Sequence, residues 1–526
     1  MSAPRAARTP SRNTQILLLG LLGAIQVSDP LITTLTLVKA SDELNFSASL
    51  QSLAAGISTF ALAATVIPGG VLADRLGRRT VLALSLVLAS VGQLITALGP
   101  DSSMFLLGRI VTGVALGTTF AAAYGMIKDV AATADRGPAL AKFNIVNTVF
   151  PLLVLILTGP LAAVNWRLAF LILPVVSLVT FPFVLRLLPP VPKLATGRVD
   201  YLGMVLIALG VAGLLVGISS AGSGAQNPAF WAPIAVGIAA LVSFGFYGSR
   251  AVAPVFPAKL LTHPAFFAAV LMGITFNFAS SASSQMSSNF WQYILHMPTA
   301  LIGVASLPTV TVAVIAALLA GRMIKAGVSA GTIALAGCTL IVTGLLTLLL
   351  TTGESNYLVF LPVLVLSGSG VTLVAMVQGT LFLSLAPARF FGPVTSSKTA
   401  VGQFGYSLGL TGTTVLVSIF TLNGVNTASH GAVSGDGSWD SITSYLSTGS
   451  TTDPALATID HATLAGIYAQ AFVLTAALSA AVIAVAAVTI FFSLRRRAAI
   501  VPVDEFLGLD EDGLATDGLA TDIEKK

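Results

Sequence analysis

Fourteen apolar runs divide this chain, each long enough to cross a bilayer as a helix. They lie near 14–38, 50–73, 80–99, 104–127, 140–163, 167–188, 201–220, 230–249, 265–290, 300–321, 330–351, 356–384, 398–421 and 465–494. A span needs about 20 predominantly apolar residues, because lipid offers the backbone no hydrogen-bond partner and only a helix or a closed barrel satisfies its own. Only 9% of the 526 residues are charged and 55% are apolar, whereas soluble domains carry about 25% charged residues. A water-soluble fold is thereby excluded. Gly, Ser and Thr inside the runs mark helices that approach one another closely.

An even number of spans puts both termini on one side, and Lys and Arg accumulate on the cytoplasmic side. Of the 26 basic residues, all but Lys39, Arg167 and Arg109 fall at run boundaries that share one side. The pattern predicts a multi-pass protein of the cell (inner) membrane with both termini cytoplasmic, and it accounts for the +5 net charge without nucleic acid. The lone Cys338 excludes intramolecular disulfides. No ligand-spaced set of His, Cys, Asp or Glu is present, so neither metal, cofactor nor enzyme chemistry is expected. Ile16–Val38 is too long for the roughly 7–15 residue core of a secretion signal and reads as a retained first span. The expected organisation is a tail over 1–13, a bundle of six helices over 14–188 and a linker with two extra spans over 189–250. A second bundle of six follows over 251–494, interrupted by an acidic, solvated outer loop over 422–464, and then a disordered acidic tail over 495–526.

All but one of the 21 acidic residues also lie outside the runs; the exception is Asp29, and Arg109 is its only basic counterpart. A charge at the bilayer centre costs about 2.5–3.5 kcal/mol on insertion scales, so such residues tend to find a partner and serve a function. At about 1.5 Å per residue, Asp29 lies roughly 20 Å and Arg109 about 22 Å from the inner boundary. The two are therefore expected to meet. Burial disfavours an ionised carboxyl and a nearby guanidinium favours it, so a change in water access or pairing switches proton binding.

After the second run the chain reads Gly69-Gly70-Val71-Leu72-Ala73-Asp74-Arg75-Leu76-Gly77-Arg78-Arg79-Thr80. Glycines permit close helix approach, and an acid with three arginines in one turn offers ion pairs between helices. This segment closely resembles the loop between spans 2 and 3 of the major facilitator superfamily, Gly-x-x-x-Asp-Arg-x-Gly-Arg-Arg, matching at Gly70, Asp74, Arg75, Gly77, Arg78 and Arg79. Arg109-Ile-Val-Thr-Gly113 resembles the family's fourth-span signature, with Thr112 where Gln is usual, and Trp166-Arg167-x-x-Phe170 and Asp200-Tyr-Leu-Gly203 resemble the starts of spans 6 and 7. Two extra spans between six-span halves resemble the fourteen-span drug:proton antiporter subfamily. That subfamily's span-5 pattern Gly-Pro-x-x-Gly-Gly is replaced here by Gly159-Pro160-Leu161-Ala162-Ala163.

The resemblance implies an all-α membrane protein with the major facilitator fold: fourteen transmembrane helices in two six-helix bundles plus two linker helices. It implies alternating access, proton coupling through Asp29 and Arg109, and a cytoplasmic latch that includes Asp74 and Arg78, with Arg78 pairing Asp129 at the end of span 4. Cavity-lining spans would be 1, 4, 9 and 12. Candidate cavity residues are Gln26, Thr119, Tyr124, Asn144, Asn147, Asn277, Gln285, Phe290 and Gln378, with span 9 the most polar, including Ser280, Ser281, Ser283, Ser284, Ser287, Ser288 and Trp291. With one acid and one arginine at lipid depth, lipophilic neutral or cationic molecules suit this interior better than polyanions. The expected function is proton-driven export of lipophilic compounds, of the multidrug-efflux type, with a single chain sufficing. The alternative is a carrier of membrane or cell-envelope lipids; a sensor or a membrane-embedded enzyme fits less well.

Overall fold

The computed structural model describes residues 11–131, 136–190, 200–220, 227–248, 260, 262–385, 391–430, 433 and 438–495. The acidic tail over 496–526, most of the tail over 1–13, and the basic residues Lys193, Arg198, Arg250, Lys259 and Arg389 lie outside the described residues.

The first half consists of α1 (Arg12–Leu44), α2 (Ala48–Leu76), α3 (Arg78–Leu98), α4 (Ser102–Val130), α5 (Arg136–Val164), the short α6 (Trp166–Ala169) and α7 (Ile172–Leu187). Next come α8 (Tyr201–Ser219) and α9 (Pro228–Gly248). The second half holds α10 (Pro264–Tyr293), α11 (Thr299–Ala305), α12 (Leu307–Lys325), α13 (Ala330–Thr347), α14 (Leu361–Ser384), α15 (Phe391–Ala428), α16 (Ser438–Thr448) and α17 (His461–Arg495). Fourteen described helices are long and apolar enough to cross a membrane, with α6 joining α7 and α11 joining α12. Local sequence sets their starts. Ser11, Ser47, Asp101 and Ser329 each accept an amide proton from the first turn they precede, satisfying a donor that the helix leaves open. Asp200 does the same for α8 through the amide of Gly203, 2.7 Å away.

Each half has its own apolar core. One is built from α1 to α7, around Leu19, Leu82, Leu116 and Phe170, and the other mainly from α10 to α17, around Met272, Ile341, Phe360 and Phe472, with Leu35 and Val38 of α1 and Leu155 of α5 joining it. The linker helices α8 and α9 pack on each other, and α8 also packs against α2 and α15, where Leu215 meets Ile57 and Phe60. The extra pair thus covers a seam between the halves. Leucines and valines such as Leu84, Val87, Leu88 and Val91 on α3 remain exposed, as a surface solvated by lipid requires.

The halves meet through α2 with α15, α5 with α11 and α1 with α10. On the face opposite the arginine-rich turn, Gln51 of α2 donates to the Tyr293 hydroxyl at 3.1 Å and accepts from the Trp439 indole N–H. Trp439 belongs to α16, which corrects the expectation of a wholly solvated outer loop over 422–464. Trp439, Ile442 and Leu446 recur at helical spacing and are buried in the core of the second half. A short amphipathic helix inside a Gly- and Ser-rich, acidic segment is masked by the composition around it.

Candidate functional site

The structure brings Asp29 and Arg109 together, and both side chains are buried, at 1% and 0% exposure. The guanidinium donates twice, Nη1 to Oδ1 at 2.5 Å and Nη2 to Oδ2 at 2.8 Å. Two further residues complete the shell: Ser58 Oγ donates to Oδ2 and Gln93 Nε2 to Oδ1, each at 2.6 Å. Four helices, α1 to α4, therefore converge on one carboxylate. Gly113, one turn beyond Arg109, makes this convergence possible, because a Cβ there would collide with the carbonyl oxygen of Ser58. The ring of Phe170 lies 5.5 Å from the Arg109 guanidinium carbon, within cation–π range. The shell is not saturated, since Arg109 Nε, Gln93 Oε1 and the neighbouring Thr112 hydroxyl are buried without a hydrogen-bond partner. Ser58 and Gln93 escape a search for intramembrane charge. Their signal is depth, since both lie at the level of Asp29 on helices adjacent in sequence.

A second charged cluster occupies the turn between α2 and α3. Arg78 reaches Asp74 through Nε at 2.9 Å and Nη2 at 2.6 Å, and its Nη1 reaches Asp129 at 2.5 Å and the Gly125 carbonyl at 2.6 Å. The end of α4 is thus tied to the α2–α3 turn. Gly77 sits at φ 96°, a backbone region that favours glycine, and it separates the last residue of α2 from the first of α3. Arg79 donates to the Leu185 carbonyl of α7. Arg75 lies in the last turn of α2 and Gly70 one turn and a half earlier.

Between the halves lies a cavity of about 270 Å³, lined by α1, α5, α10, α11, α12, α14 and α15. It takes Leu31, Thr34 and Leu35 from α1, and Ser280, Ser283, Ser284, Ser287, Ser288 and Trp291 from α10. None of its described lining residues is charged. The polar face of the ninth span therefore does border the cavity, but through its serines and one tryptophan.

The larger candidates sit elsewhere. Gln285 accepts from Thr34 Oγ1 at 3.0 Å and donates to Asn289 at 3.0 Å, bridging the halves. Gln26 accepts from Gln403 at 2.9 Å in a second bridge. Asn147 donates to carbonyls of α1 and α5, and Asn277 to Gly273 of its own helix. Thr119 contacts Ser85 within the first half, and Tyr124 stacks on Phe120 there. Phe290 is packed among Phe360, Tyr468 and Phe472. Gln378 is buried against Gly273, with both amide atoms unpartnered. The side chain of Asn144 lies outside the described residues. Lys398, at the start of the membrane-length part of α15, has its ammonium close to Gly379 of α14. Among the described residues no group of three or more His, Cys, Asp or Glu is placed to hold a metal ion.

Similarity to known proteins follows the same lines. The chain is 28% identical over 270 residues to an uncharacterized MFS-type transporter of Mycobacterium tuberculosis; the match covers 48% of this chain but only 38% of that protein's length. It is 27% identical over 392 residues to a protein of the same species named multidrug resistance protein B homolog, covering 72% of each chain. It is 25% identical over 326 residues to the methylenomycin A resistance protein of Bacillus subtilis, covering 60% of this chain and 68% of that one. In fold it resembles a bacterial homolog of the human lysosomal transporter Spinster, in an inward-facing, occupied conformation, with TM-score 0.65 at 15% identity over 93% of this chain and 98% of the other. A sequence profile described as Major Facilitator Superfamily matches residues 17–410. With fourteen membrane-length helices in two cored halves and that match across most of its length, the chain belongs to the Major Facilitator Superfamily and is a transporter rather than an enzyme.

Proposed function

We propose that this transporter exports lipophilic neutral or cationic compounds by alternating access, driven by protons that enter as the compounds leave. The observation that carries this reading is the buried Asp29–Arg109 pair in the first half, held beside an uncharged cavity between the halves. A carboxylate that takes a proton releases its guanidinium partner, and a released, buried guanidinium favours rearrangement to a state in which the carboxylate is paired again. Proton binding and helix arrangement are thereby linked. Thr34, five residues beyond Asp29 on α1, borders the cavity and bonds to Gln285 of the second half, so a shift of α1 moves both the carboxylate and the cavity wall. Pro30 lies between them and removes one hydrogen bond of the helical ladder. The Arg78 cluster acts as the latch on the arginine-rich face, which in this reading is cytoplasmic, as are both termini, and a monomer in the cell membrane suffices.

Resistance proteins among the relatives support export of foreign lipophilic compounds. A carrier of membrane or cell-envelope lipids is the second reading, favoured by the apolar wall that Leu152, Leu155 and Ile302 give the cavity. Accumulation of a fluorescent lipophilic dye in cells expressing the protein tests the first reading. Accumulation is expected to fall severalfold and to recover when an uncoupler collapses the proton gradient. Equal accumulation with and without the protein contradicts export, and labelled-lipid transfer then becomes the assay.

A further inference from the structure

Three polar groups in the cavity wall have nothing to bond to. The indole N–H of Trp291 and the hydroxyls of Ser287 and Ser367 are buried, at 1%, 1% and 3% exposure, and none has a hydrogen-bond partner. All three border the 270 Å³ cavity. Their neighbours differ: Ser283, Ser306 and Thr372, in the same wall, donate to carbonyls of their own helices at 2.7, 3.0 and 2.9 Å. A buried polar group left unpaired costs stability, and three of them gathered on one cavity are placed for a bound molecule to complete them. Indole nitrogen is a donor only, and a serine hydroxyl both donates and accepts. The missing partner therefore offers acceptor oxygens. Among the described residues the wall contains no carboxylate to neutralise a cation, and the acid nearest in sequence, Asp29, is already engaged by Arg109 at 2.5 and 2.8 Å.

We infer that the cavity recognises a neutral lipophilic molecule carrying a carbonyl, ester or ether oxygen, held by Trp291, Ser287 and Ser367. This inference rests on the cavity being the transport site, and it narrows the proposed substrates to the neutral class. Ser287 and Trp291 stand one helical turn apart on α10 and Ser367 faces them from α14. A flat acceptor between these helices would meet donors from both sides, with Leu31 and Leu35 of α1 and Leu152 and Leu155 of α5 covering its apolar body.

Binding to the purified full-length protein tests the inference with three probes of similar size: benzophenone, which carries one carbonyl, diphenylmethane, which lacks it, and the cation benzyltrimethylammonium. Benzophenone is expected to bind about tenfold more tightly than either of the others, the scale of one hydrogen bond made in an apolar site. On irradiation it should label peptides of α10 and α14. Trp291→Phe is expected to erase the preference over diphenylmethane. Because Trp291 is also packed against Tyr357 and Phe360, Ser287→Ala and Ser367→Ala serve as milder variants, each expected to reduce it about threefold. Equal binding of benzophenone and diphenylmethane, tighter binding of the cation, no saturable binding of benzophenone, or a preference untouched by all three variants would overturn the inference. Selective binding by a protein that moves no protons would sustain the substrate class and sink the coupled-transport reading instead.

Discussion

The two halves of this transporter handle polarity in opposite ways. The first half buries a full ion pair and surrounds it: Asp29 receives hydrogen bonds from Arg109, Ser58 and Gln93, all within α1 to α4. The second half faces the cavity with serines, a tryptophan and a tyrosine, and no described side chain there brings a charge to the lining. Charge at membrane depth is expensive unless paired, whereas a hydroxyl can satisfy itself on its own helix and still turn a face to a ligand. In the proposed function, ion chemistry belongs to one half and recognition to the other. α1 is then the element that must join them, with Asp29 packed inside its own half and Thr34 at the cavity edge.

The largest break in this comparison comes from Asp29→Asn. It leaves Arg109 buried without a counter-charge, which costs about 3–5 kcal/mol, so a marked fall in thermal stability should accompany loss of proton movement. Arg109→Gln in the same chain is expected to restore stability but not proton movement; recovery of both would remove the pair from the coupling role. A smaller effect is expected from Thr34→Val, which strips the Gln285 oxygen of its Thr34 donor and costs about 1–3 kcal/mol for a group left unpaired. Proton movement should persist with fewer substrate molecules exported per proton, and an unchanged ratio of the two fluxes would exclude α1 as the link.

Milder still is Arg78→Ala. It should slow alternation severalfold, seen as slower labelling of Ser284→Cys in a Cys338→Ser background, with substrate affinity unchanged; unaltered labelling kinetics would count against the latch. The smallest effect on transport belongs to Gln51→Leu. Loss of its bonds to Tyr293 and Trp439 takes the acceptor from a buried indole N–H and should weaken the contact between the halves on that face by about 1–3 kcal/mol, and Ser284→Cys should then become more reactive from the side of α16. A reactivity indifferent to Gln51 would mean that α16 is not part of the closure.

What the sequence disclosed followed from cost. An intramembrane acid and an intramembrane arginine are each too expensive to stand alone, so their pairing could be read from depth arithmetic on two helices. The Arg78 cluster was legible for a related reason: Gly77 and the spaced charges do more than a positive-inside turn requires. The cavity was harder to read. Asn and Gln look like ligand-binding groups, yet each has several donors and acceptors to satisfy, and Gln26, Asn147 and Gln285 spend theirs holding helices together. Small serines border the cavity because they fill little space and need only one bond. Trp439 was hidden for another reason, since one buried turn of α16 is diluted by the glycines and serines that flank it.

The most direct test reconstitutes the protein in liposomes and follows lumenal pH when an efflux substrate, identified by the accumulation assay, is added to one side. Wild type is compared with the Asp29→Asn, Arg109→Gln double variant and with the Ser287→Ala, Ser367→Ala double variant. The account predicts substrate-driven proton movement in wild type, none in the first variant despite intact substrate binding, and in the second a weaker substrate affinity with normal proton movement once the site is filled. Substrate-driven proton movement that survives without Asp29 and Arg109 would contradict it.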